Sequence, residues 1–258
     1  MKTRKPYGRS VAGPFFLRWV CLGLMVWLGS TRTVIAGESS KEFWPEVDLW
    51  LKLTPAWRLS MFVPTSKNIE THYREGNLIL QGDYAFWKMS PRNKTRLFDE
   101  NRAQQMKRLL IRGGYLGGKS LGDNGEAYTE YAMLAELHVR TPIKGGILVS
   151  HRLRTDLRWL GDDHEFSSRL RYRLQVEKEF TAGRWSIVPY ANGEAYYDSR
   201  YDLVNRTRWI GGASVARWQR FAVETNWTYQ HDTRSSVTNL NALNLILHLF
   251  FETRHAKK

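Results

Sequence analysis

Hydrophobic and polar residues alternate with period two along most of the chain. Over residues 46–53, Val47, Leu49, Leu51 and Leu53 fall on one face and Glu46, Asp48, Trp50 and Lys52 on the other, the pattern of a strand with one apolar and one wet side. The same alternation, punctuated by short polar joins, predicts strands near 43–54, 57–65, 76–88, 107–117, 125–140, 146–159, 165–180, 184–197, 205–218, 220–231 and 240–251. Strands of soluble domains usually run about five or six residues, whereas a tilted strand crossing an outer membrane needs about 9 to 11. Most of these segments reach that length. Their apolar faces carry Trp and Tyr toward the ends (Trp159, Tyr172, Trp185, Tyr197, Trp209, Trp227 and Tyr229), as the aromatic girdles of a membrane barrel do.

The joins alternate in length, short at 54–56, 141–145, 181–183 and 217–219 and longer and more polar between them, the habit of periplasmic turns and external loops. The expected fold is therefore all-β: a transmembrane, antiparallel, up-and-down β-barrel of ten to twelve strands. Eleven segments can be counted, and twelve strands are favoured because single-chain bacterial barrels have an even number. The long join 89–106, which parity assigns to the periplasmic side, is the place for a twelfth strand or for an excursion. No run of 18 consecutive apolar residues follows residue 36, which excludes a helical membrane protein.

The first 36 residues read as a cleaved signal peptide. Basic residues (Lys2, Arg4, Lys5, Arg9, then Arg18) precede a short apolar run over 19–28, and Val34-Ile35-Ala36 supplies small side chains for cleavage after Ala36. The expected organisation is a signal peptide over 1–36, a barrel over 37–251 and a short basic tail over 252–258. Removal of the presequence takes away the only cysteine, Cys21, so disulfides, cysteine-ligated metals and thiol nucleophiles are excluded from the mature chain. The formal charge of +14 falls by the six basic residues of the presequence to 14 − 6 = +8. These cations alternate with apolar residues and form no stripe or loop cluster, which argues against nucleic acid as a partner.

Four stretches carry a family resemblance: 43–53 (FWPEVDLWLKL), 165–174 (EFSSRLRYRL), 189–201 (PYANGEAYYDSRY) and 239–251 (NLNALNLILHLFF). Together they resemble the bacterial family catalogued as domain of unknown function 2490, over nearly the whole mature chain. The resemblance implies an outer-membrane barrel of unassigned activity, with no catalytic or binding residue to carry over. Barrels of this kind usually end on an aromatic residue read during assembly. Here Phe250 and Phe251 are followed by seven further residues, so the assembly machinery is expected to read the strand from Leu243 to Phe251 as an internal signal.

The polar faces carry the most specific pattern. Arg152, Arg154, Asp156 and Arg158 share one face of the sixth predicted strand, and Arg169, Arg171 and Arg173 one face of the seventh. A charged side chain facing lipid at mid-depth costs roughly 2 to 4 kcal/mol, so these six arginines belong to the lumen wall. Two readings follow. With Glu130, Glu136, Glu194 and Glu224 as acidic partners, the charges fill a narrow barrel with ion pairs; alternatively, the cationic wall makes a transverse field favouring small anionic solutes, in a narrow channel or binding barrel.

Two polar joins, Asp162-Asp163-His164 and His231-Asp232, hold residues that could activate water as a rim hydrolase would. Loop Asp and His are also common turn formers, and the expectation is that the protein is not an enzyme; a purely structural envelope role is a further alternative. Ser150 and His151 are adjacent and point to opposite faces, against a Ser–His pair. No cofactor is implied, and no two histidines recur at metal-ligand spacing, with Asp198 and Asp202 at most a loose match for calcium. The glycine pairs at 113–114, 117–118, 145–146 and 211–212 precede no helix pattern and read as bulges, turns and close strand contacts. The expected setting is the outer membrane of a Gram-negative bacterium, reached by the general secretory route, with membrane lipid, lipopolysaccharide and the assembly machinery as partners.

Overall fold

The structure, a computed structural model, describes residues 38–71, 73–86, 108–121, 129–143, 145–182, 185–218, 220–235 and 237–253. The expected signal segment, the join 89–106 and the end of the tail lie outside them. Twelve strands form one sheet: β1 (Glu38–Lys52), β2 (Trp57–Asn68), β3 (Arg74–Ala85), β4 (Leu109–Ser120), β5 (Thr129–Ile143), β6 (Ile147–Leu160), β7 (Glu165–Lys178), β8 (Phe180–Ala182), β9 (Trp185–Asp198), β10 (Leu203–Trp218), β11 (Phe221–Asp232) and β12 (Val237–Glu252). The long strands match the segments read from the alternation.

The sheet closes on itself through eleven of these strands, in chain order except that β7 pairs directly with β9. The three-residue β8 pairs with the start of β9 in the register that β7 already keeps, Glu177 opposite Tyr190 and Phe180 opposite Ile187. It continues β7 past Glu179 and adds no wall to the barrel. An even closure is thus replaced by an odd one, with a direct structural consequence: an odd ring of up-and-down strands brings its first and last strands together running the same way. β1 and β12 pair in parallel, from Ser39 opposite Asn239 to Lys52 opposite Glu252, while the other pairings are antiparallel.

Tight turns join β1 to β2 and β5 to β6 at one rim of the barrel, where the join from β3 to β4 also lies, mostly outside the described residues. At 53–56 the Thr54 hydroxyl accepts hydrogen bonds from the Ala56 and Trp57 amides at 3.2 and 3.0 Å. The turn between β5 and β6 passes through Gly145 and Gly146 at φ +83° and +73°, which only glycine adopts without strain. The opposite rim, here called the mouth, holds the joins after β2, β4, β6, β9 and β11. Inside the wall Gly212 lies where a Cβ would overlap both Asn226 and the Thr225 carbonyl, a close strand approach in place of a phosphate loop.

The period-two pattern sorts the side chains inside out. Among the described residues thirty buried side chains are polar or charged and thirteen are apolar, while Leu59, Leu80, Met133, Leu153, Leu174 and Leu245 are exposed on the outer face. Aromatic pairs ring that face near both rims: Trp159 with Phe166 at 5.7 Å toward the mouth, and Trp57 with Tyr84 at 4.8 Å by the tight turns.

Candidate functional site: the charged lumen

All six arginines expected in the wall point inward. Antiparallel pairing of β6 and β7 sets Arg152 opposite Arg173 and Arg154 opposite Arg171, juxtapositions that repel unless an anion intervenes. Asp156, fully buried, supplies one: its Oδ1 accepts from Arg154 Nε at 2.5 Å, its Oδ2 from Arg169 Nε at 3.0 Å, and Arg171 lies 2.5 Å from Oδ2. Glu194 of β9 supplies the other, accepting from Arg152 and Arg173 at 2.6 and 2.5 Å while Tyr196 donates its hydroxyl at 2.5 Å. Arg158 pairs with Asp198 at 2.7 Å.

The expected acidic residues divide. Glu130 lies 3.6 Å from Arg169, Glu136 bridges Arg154 and Arg112 at 3.2 and 3.3 Å, and Glu194 holds the pair above. Glu224 meets no arginine of the wall: it accepts from Tyr190 and Ser214 hydroxyls at 2.5 and 2.6 Å and faces His248, whose other nitrogen is 3.0 Å from Asp48. β12 and β1 each lie five strands from β6 round the ring of eleven, and β11 three from β7, so this second cluster faces the arginine wall from a more acidic side. Toward the tight turns the chain of ion pairs ends in a floor, where Asp83 is clamped between Arg58 and Arg112 and Arg58 stacks on Trp50 at 4.1 Å.

Two residues on β10 continue the wall and were not singled out by sequence pattern. Arg206 binds Asp232 at 2.6 Å. Arg208 donates from Nε to Gln230 at 2.7 Å and lies 5.1 and 5.2 Å from the Trp44 and Tyr196 rings; among the described residues no carboxylate comes within ion-pair distance of it. Tyr196, almost wholly buried, also has Arg169, Arg171 and Arg206 about its ring at 5.1 to 5.9 Å. The alternation Arg206, Arg208, Ile210 was visible, but a bulge between Val204 and Arg206 hides its phase. Arg58 and Arg112 stand alone on their strands, without a sequence signal.

These residues enclose two cavities. The inner one, ≈ 490 Å³, reaches from Trp44 past Arg171 and Arg173 to Trp50 and His248. A vestibule of ≈ 730 Å³ toward the mouth shares Arg169, Tyr196, Arg206 and Arg208 with it and takes in Arg158 and Arg200. Such volumes suit small organic ligands.

The joins considered for hydrolysis are not brought together by any bond among the described residues. Asp232 accepts from Arg206 and from the Arg234 amide, and His231 bonds Asn239 at 3.1 Å. Asp162, Asp163 and His164 form an exposed turn. Asp198 is occupied by Arg158 and Arg200, and Asp202 accepts the Tyr197 hydroxyl. Ser150 lines the inner cavity while His151 bonds Tyr172 on the outer face, opposite sides as their adjacency requires.

Apolar outside, charged and hollow inside, the fold defines a β-barrel with an arginine-walled lumen. The chain belongs to the family described as Protein of unknown function (DUF2490), whose profile matches residues 41–241. Among curated proteins none matches the chain.

Proposed function

We propose that the protein resides in an outer membrane and receives small anionic solutes from the mouth into its arginine-walled lumen. One observation carries the reading: on β6, β7, β9 and β10 seven arginines (five of the expected six, at 152, 154, 169, 171 and 173, with Arg206 and Arg208) line the inner cavity, and Glu194 is the one carboxylate that these four strands add to it. Asp156 is buried behind the wall and holds its guanidinia in place. Set against the carboxylates that β1, β3, β5 and β11 turn into the same cavity, this wall gives the lumen a transverse field, and its cationic side raises the local concentration of anions.

The outer face supports that setting, since exposed leucines flanked by aromatic pairs suit hydrocarbon bounded by two interfaces. In that setting lipid and lipopolysaccharide cover the outer face, and β12, with Leu243, Leu245, Leu247 and Phe251 turned outward, offers the strand that the assembly machinery reads. Toward the tight turns the inward side chains of Leu148, Val188 and Ala222 are 0–1 % exposed, which favours a receiving barrel over a wide pore.

The test is fractionation followed by binding. The protein is expected with outer membranes, running faster on an unboiled gel, and soluble periplasmic recovery would overturn the membrane setting. In lipid nanodiscs, acetate and inorganic phosphate are expected to bind and ammonium cations not. Binding should weaken as salt rises above 0.1 M, where the screening length drops below about 10 Å; preference for cations overturns the reading. The proposal includes no reaction at the rim.

A further inference from the structure

We infer that the lumen's ligand is an organic carboxylate with an apolar body, its head group held on the edge of Arg208. The inference deepens the anion-receiving reading and rests on it. Arg208 stands apart from the other arginines of the wall. Its position is fixed by Gln230, a neutral acceptor, and by the rings of Trp44 and Tyr196; Glu194, its neighbour across the strand pair, spends its oxygens on Arg152, Arg173 and Tyr196, so the guanidinium is oriented with no carboxylate of the described residues on its fork. A guanidinium flanked by aromatic rings keeps its fork of N–H donors for a ligand in its plane, and that fork matches the two oxygens of a carboxylate. Arg208 lines both the vestibule and the inner cavity, and therefore stands where an entering solute passes from one to the other.

The second observation concerns what lies across the same cavity. β3 is five strands from β10 one way round the ring and six the other, close to diametric. There Phe62, Ile79 and Leu116, on β2, β3 and β4, turn into the inner cavity, backed by the buried Ala132 and Leu134. Ile210 and Ile246 also line this cavity, but Phe62, Ile79 and Leu116 lie together on adjacent strands and offer a surface that a hydrated inorganic anion does not use. An aryl or short alkyl group gains by leaving water there. Glu75, also on β3 and lining both cavities, repels a carboxylate placed at that side and so sets the orientation: head group toward β10, body toward β2–β4.

Binding of phenylacetate, acetate, inorganic phosphate and phenylacetamide to the full barrel in nanodiscs, followed by calorimetry, tests this. Phenylacetate is expected to bind about tenfold or more tighter than acetate, from burial of the ring. It should bind about tenfold or more tighter than the neutral amide, from the charge-assisted fork. Arg208→Gln should erase the preference for phenylacetate over phenylacetamide, and Ile79→Asn should erase that for phenylacetate over acetate, each variant keeping the unboiled gel shift of the parent. Arg208→Lys, which keeps the charge without the fork, should restore only part of the preference. Phosphate and acetate binding as tightly as phenylacetate would overturn the apolar body and leave the anion reading intact. Equal binding of the amide would overturn the Arg208 clasp, and binding of none of the anions would take both readings down.

Discussion

The floor and the mouth of the lumen are built from the same parts and come out different. Each sets a guanidinium against a tryptophan of β1: Arg58 over Trp50 at the floor and Arg208 over Trp44 six residues earlier on the same face. At the floor the acceptor is a carboxylate, Asp83, shared with Arg112 and 1 % exposed. At the mouth it is the amide of Gln230. A charged acceptor at one and a neutral amide at the other separate an arginine that closes the barrel from one left open to a solute. The residue type therefore says little about role; the saturation of its donors decides it.

The largest effect should come from turning the floor into a mouth. Asp83→Asn removes the carboxylate that Arg58 and Arg112 share, leaving Glu136 to Arg112 alone, and loss of one partner of a buried pair costs about 3–5 kcal/mol. The urea midpoint for the lipid-reconstituted barrel should fall accordingly; an unchanged midpoint would mean that the floor arginines are already solvated. The converse change is smaller and affects binding. Gln230→Glu offers Arg208 a carboxylate, and anion affinity should drop about tenfold, roughly 1.4 kcal/mol, with the fold intact. Smaller still is the stability effect of Arg208→Gln, expected within about 0.5 kcal/mol because no ion partner is stranded; a large loss would place Arg208 with the floor residues. The least effect belongs to Asp163→Ala, at an exposed turn, which should alter neither stability nor binding.

The strands and the facing of their side chains were legible because a half-buried strand writes its two faces into alternate residues, as Val47 to Leu53 and Arg169 to Arg173 show. The ring closure was not. It depends on the count of strands and on which ends meet, and nothing local in β1 or β12 marks them as parallel partners. Partner choice was likewise hidden. Asp83 gathers arginines from β2 and β4, and Asp156 from β6 and β7, combinations set by register and stagger. Glu224 looked like one more partner for the arginines until the ring placed it beside His248.

The parallel seam between β1 and β12 also governs how this chain can be rewired. Glu38 enters at the mouth and Glu252 leaves by the tight turns, so the two strand ends stand at opposite rims. In an even barrel a short turn joins them, and the protein can be opened elsewhere by circular permutation. Here a linker must run the height of the wall, about 50 Å of extended chain for the fifteen residues of β1 at about 3.3 Å each. Permutants with short linkers should fail to close, and epitopes fused just before Glu38 and just after Thr253 should report from opposite rims of the barrel.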